Sequence, residues 1–141
     1  MMFKIWLENK QPLQQRLEML RQQFAAAAQE VYDQWVQDEY DDLNGGGICQ
    51  DIAEAIAGVI YQHIPQVEAG TVSASCGEQH VWVILHNEQE GFSIDIPYHL
   101  YEKGGGYNWT KIPGVVFMPQ DIEIYPMNHS DAKNALEDPF G

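Results

Sequence analysis

Basic residues are scarce in this chain: 7 Lys and Arg stand against 21 Asp and Glu, a formal charge of −14 at neutral pH. A protein that grips nucleic acid or an anionic membrane needs a basic face to neutralise phosphate, so neither kind of partner is expected. What fits is a solvated acidic surface or a basic protein partner. Cysteine is scarcer still. Cys49 and Cys76 allow at most one disulfide, too few for a disulfide scaffold. Long apolar runs are missing too: no stretch approaches the ~20 residues of a membrane span. Phe3, Ile5, Trp6 and Leu7 make too short an apolar segment for a signal peptide, and no small-residue cleavage pattern follows them. A cytoplasmic location is the expectation.

Repeats and low-complexity tracts are also absent. At 141 residues and 45% apolar, the chain is too hydrophobic for disorder and long enough to bury a real core. A single domain is expected over 1–141, with residues 1–40 as a helical N-terminal segment and 128–141, which shows little periodicity, as a loose tail.

Leu13, Leu17, Leu20, Phe24, Ala27, Val31 and Trp35 recur at helical spacing and predict one long helix from Pro12 to about Asp38. The acidic run Asp38 to Asp42 lacks the ligand spacing of a calcium loop. It leads into Asn44-Gly45-Gly46-Gly47. Ile52, Ile56, Val59, Ile60 and Ile64 then predict a second helix, from Gln50 to His63, with Asp51 and Glu54 in its first turn and Pro65 ending it. Strands are expected at Thr71 to Cys76, His80 to Leu85, Phe92 to Ile96, Val115 to Phe117 and Asp121 to Tyr125. The fold class is α+β, an antiparallel sheet with helices on one side. Tyr98 to Pro113, with three glycines and the aromatics Tyr101, Tyr107 and Trp109, is a candidate lid.

Cys49 opens the second helix, where unpaired N–H groups and the helix dipole favour a thiolate. His80 and Asp95 fall on the two arms of a hairpin turning through Asn87 to Gly91. With the turn centred between Asn87 and Glu88 the two residues lie opposite each other. Centred one residue later, they are diagonal neighbours on one face. Either register permits an Asp–His hydrogen bond, and a slip of one residue forbids it. Cys76, Glu78 and His80 alternate along one strand face with metal-ligand chemistry, but their spacing is unlike a zinc cluster, and neither metal nor cofactor is expected. His63, His86, His99 and His129 read as a helix C-terminal cation, a strand end, a loop residue and a tail residue.

The strings Gly47-Ile48-Cys49-Gln50-Asp51-Ile52-Ala53, His80-Val81-Trp82-Val83 and Ile94-Asp95-Ile96-Pro97 resemble the core of the transglutaminase-like branch of the papain-like cysteine hydrolases. The resemblance covers roughly residues 44 to 97. Two features depart from the pattern: the segment before Asp95 lacks the tryptophan often found there, and Ile96 separates Asp95 from Pro97. The resemblance implies a papain-like core in which Cys49 is the nucleophile, His80 the general base and acid, and Asp95 the group orienting the imidazole. The Cys49 N–H would hold the oxyanion, with Asn44 or Gln79 as the second donor and Gly47, Trp82 and Tyr98 as further substrate-contacting candidates. The implied activity is hydrolysis of an amide, peptide or isopeptide bond in a protein or peptide substrate through a thioester. The alternatives are acyl transfer or glutamine deamidation by the same triad, and a non-catalytic acidic binding or assembly module.

Overall fold

A computed structural model describes residues 12–37, 47–73, 80–96 and 114–138. The N-terminal stripe folds as two helices, α1 (Leu13–Met19) and α2 (Arg21–Gln37), where the spacing predicts one. Leu20 interrupts them: its N–H bonds to Leu17 O at 3.0 Å in a tighter turn, and its own carbonyl then accepts from Phe24 N at 2.9 Å to restart the helix. The buried face after Phe24 runs through Ala28, Tyr32 and Trp35, not Ala27 and Val31. Tyr32 makes edge contacts with Trp35 and Phe117, each at 5.6 Å between ring centres, so the larger aromatic takes the core.

Arg21 ties this layer to the far end of the chain. It pairs with Glu18 and donates to the carbonyl of Ile122, with a longer contact to Pro119 O at 3.4 Å. The Arg21 hydrogen bond holds the Glu18 carboxyl below its ordinary pKa. A depressed carboxylate stabilises the fold above its unfolded pKa and loses that contribution as pH falls through the folded one. Arg21→Ala is therefore expected to cost about 1–2 kcal/mol at neutral pH, much of it from the carbonyls left without a donor. In thermal melts the gap to wild type should narrow below about pH 4.

Val115 to Phe117, expected as a strand, has no strand partner among the described residues. It is held instead by the side-chain amide of Gln29, which donates to Val115 O at 3.0 Å and accepts from Phe117 N at 2.8 Å. That amide satisfies the backbone as a neighbouring strand would, leaving Val115 and Phe117 buried. A short 3-10 turn at Pro119–Asp121 follows.

The Cys-bearing helix α3 (Gly47–His63) begins three residues earlier than predicted, so Asp51 and Glu54 lie beyond its first turn, which carries no acid. Ile52, Ile56, Ile60 and Ile64 form its buried stripe. Strands β1 (Glu68–Ser73), β2 (Val81–His86), β3 (Gly91–Asp95) and β4 (Glu123–Met127) form an antiparallel sheet in the order β1-β2-β3-β4. Val83, Leu85, Phe92, Ile94 and Ile124 join α1, α2 and α3 in the main core.

The other face of the sheet is covered as well, which corrects the expectation of helices on one side only. Residues expected as a loose tail form α4 (His129–Glu137), whose Asn128 cap accepts from Ser130 N at 2.8 Å and Asp131 N at 3.4 Å. Ala132, Ala135 and Leu136 of α4 pack on Val72, Trp82, Ile84 and Met127 in a second, smaller cluster. Glycine permits this close seating: a Cβ built on Gly91 would meet the Ala132 Cβ at 2.7 Å, and one on Gly70 would meet Leu136 at 3.0 Å. His129 is accordingly a first-turn helix residue. No helix among the described residues is long and apolar enough to cross a membrane.

Candidate active site

The hairpin turn positions His80 and Asp95. Asn87 donates its N–H to Glu90 O at 3.0 Å, and its side-chain oxygen accepts from Gln89 N and Glu90 N at 2.8 and 2.6 Å. This self-capped Asx turn sets Val83 opposite Ile94 and Leu85 opposite Phe92, the second of the two registers compatible with pairing. Carried one step further, that register puts Asp95 across from Trp82 and diagonal to His80.

The diagonal is bridged: His80 Nε2 lies 2.6 Å from Asp95 Oδ2, while Asp95 Oδ1 accepts from Ile96 N at 2.8 Å. One carboxylate oxygen orients the ring and the other is pinned by the backbone. With Asp95 accepting from Nε2–H, the neutral ring carries its lone pair on Nδ1. Trp82, expected to touch substrate, stacks on the imidazole at 5.6 Å between centres with 21° between planes. An aromatic face in that position fixes the ring's orientation. The two side chains are 24% and 29% exposed, so the pair is reachable from solvent.

Cys49 sits in the first turn of α3 and is 3% exposed, within the main core. Its position along the sheet follows from the chain reversal after the helix. Val67 N bonds to Ile64 O at 3.4 Å, and the Tyr61 hydroxyl donates to Ala69 O, which lays α3 alongside β1 in the opposite direction. From Tyr61 back to Cys49 is about 18 Å of helix. From Ala69 forward to Ser73 is about 14 Å of strand. Cys49 thus comes level, within about one helical turn, with the end of the sheet where Ser73 faces Val81 and His80 immediately precedes β2.

Strand alternation separates the layers. Val81, Val83 and Leu85 face α3, whereas Trp82 and Ile84 face α4. His80 and Asp95 follow Trp82 and stand on the α4 side, beyond the helix. The structure therefore joins His80, Asp95 and Trp82 directly and brings Cys49 to the same end of the sheet on the layer beneath.

Asp95 also lies opposite Glu123 of β4, whose carboxylate is bonded by the Tyr125 hydroxyl. That bond, with the Asp95 charge adding to it, raises the Tyr125 pKa. Neither residue stood out in the sequence, because Asp121 to Tyr125 gives no sign of which residue it sets beside Asp95. Gly47 is the first residue of α3. Asn44, Gln79 and Tyr98 lie outside the described residues, as do Cys76, Glu78, the acidic run 38–42 and the whole of the candidate lid. Among the described residues no three His, Cys, Asp or Glu side chains are placed to hold a metal ion.

No family model matches the chain, and neither the curated proteins nor the solved structures give a match.

Proposed function

We propose that the chain is a thiol-dependent hydrolase of amide, peptide or isopeptide bonds, built on a papain-like core, with Cys49, His80 and Asp95 as its triad. The observation that carries this reading is the 2.6 Å His80–Asp95 bond, at the end of the sheet to which α3 delivers Cys49. The order supports it as well, with Cys on a helix and His and Asp on adjacent antiparallel strands.

In this mechanism His80 Nδ1 takes the Cys49 proton and the thiolate sulfur attacks the carbonyl carbon. The Cys49 N–H, in the first turn of α3, receives the oxyanion. Collapse of the tetrahedral intermediate breaks the C–N bond, and His80 gives its proton to the leaving amine. Water, deprotonated by the same imidazole, then releases the acid from the thioester. Asp95 holds the ring and offsets the imidazolium charge throughout. An amine in place of water would make the same intermediate a transferase.

A second reading is favoured by one observation, the 3% exposure of Cys49: a non-catalytic module in which this thiol is core packing. Intact-mass analysis after rapid mixing with a peptidyl aryl ester separates the two. The hydrolase reading predicts an acyl adduct on Cys49 that decays by hydrolysis and is absent from Cys49→Ala. A protein that gains no mass at Cys49 is the binding module.

A further inference from the structure

Among the described residues the sheet ends in β1 on one side and β4 on the other, and the two edges differ. On β4 the edge is interrupted by Pro126, which has no N–H to offer an incoming strand. Strand β1, Glu68–Ser73, contains no proline. The N–H of Val67 turns back to Ile64 O and the carbonyl of Ala69 accepts from Tyr61, so residues 67, 69, 71 and 73 direct their backbone groups away from β2. Tyr61 occupies the edge at Ala69 O. Beyond it, the outward groups of Thr71 and Ser73 have no backbone partner among the described residues.

A groove of about 460 Å³ runs along this edge, floored by Ala69, Gly70 and Thr71 and walled by Tyr61 of α3 and Leu136 of α4. Tyr61 is 53% exposed despite its hydroxyl bond, which leaves its ring available on one side of the groove. The groove therefore sets the outward backbone groups of Thr71 between two apolar walls, with those of Ser73 following along the strand. At one end of it stands Glu68, 81% exposed with its carboxylate 3.5 Å from His86 Nε2, and the chain as a whole carries −14.

We propose that the free edge of β1 binds an extended polypeptide segment flanked by Lys or Arg, which adds to the sheet as a fifth strand over Ala69 to Ser73. Residues of that segment alternate between the Tyr61 wall and the Leu136 wall, so small apolar or β-branched side chains suit those positions. Basic flanks meet Glu68 and the chain's net negative charge, which speeds the encounter. The open half of the edge ends at Ser73, the end of the sheet where His80 stands. Naming the bound segment as substrate rests on the hydrolase reading; the docking itself does not.

The test uses Cys49→Ala protein, which keeps the edge and removes turnover, with a fluorescent ten-residue Val/Thr peptide bearing two lysines at each end. Saturable binding is expected, weakened at least about tenfold by Thr71→Pro, which deletes an outward N–H while sparing the inward ladder. N-methylation of alternate peptide amides should weaken it comparably with the protein unchanged, which keeps the test decisive if Thr71→Pro misfolds. A peptide with glutamates for the lysines should not bind. Binding indifferent to N-methylation would overturn the proposal. So would a concentration-dependent dimer abolished by Thr71→Pro, which would give the edge to a second copy. Docking on a protein whose Cys49 forms no acyl adduct would sink the hydrolase reading and leave the edge site standing.

Discussion

Gly91→Val should destabilise the fold by about 1–3 kcal/mol or more, the cost of overpacking a fitted contact. The first added carbon alone would stand 2.7 Å from the Ala132 Cβ and 3.2 Å from the carbonyl oxygens of Asn128 and Met127. Two of those atoms are backbone and the third is at the base of a side chain, so none can swing aside. Relief requires α4 to lift from the sheet, which exposes Val72 and Ile84 and surrenders their burial. Urea denaturation measures the loss. Adding Ala132→Gly should recover part of it, since the closest contact disappears while a glycine in a helix costs about 1 kcal/mol. Full stability in Gly91→Val would mean that α4 does not seat on the sheet as described.

His80→Ala should lower the rate of acyl-enzyme formation by about 10²–10⁴, the range attributable to one general base. Asp95→Ala should lower it as well, and Asp95→Asn less, because an amide oxygen can still accept from Nε2–H. These losses should come almost without loss of stability, under about 1 kcal/mol in chemical denaturation, because both side chains are part exposed. That separation of activity from stability marks a working pair. Variants that unfold the protein and leave acylation per folded molecule unchanged would assign His80 and Asp95 to architecture alone.

Much of the fold was legible because it rests on local chemistry. The α3 stripe of Ile52, Ile56, Ile60 and Ile64 and the polar turn at Asn87 are signals that no tertiary contact overrides. From them follow the helix, the hairpin and a choice of two registers that both join His80 to Asp95; the Asx turn at Asn87 then selects one. What could not be read depends on partners distant in sequence. Val115 to Phe117 has strand composition, yet its partner is the Gln29 side chain, 86 and 88 residues away. The phase shift to Tyr32 goes with its edge contact to Phe117. Helix α4 was hidden because its face consists of two alanines and one leucine, a pattern too faint to register. It becomes intelligible only once Gly70 and Gly91 show how closely it sits. In the site, period-two alternation gave the His80–Asp95 pair, whereas the layer on which Cys49 arrives required the three-dimensional packing of α3.

The pH dependence of Cys49 alkylation by iodoacetamide, followed by peptide mass mapping in wild type and His80→Ala, bears most directly on the proposed triad. An activated Cys–His pair predicts rapid labelling of Cys49 that persists well below the free-thiol midpoint of about 8.5 and is lost with His80. Labelling that is slow, or that follows an ordinary thiol titration indifferent to His80, would contradict it and leave the sheet edge of an acidic binding module as the functional surface.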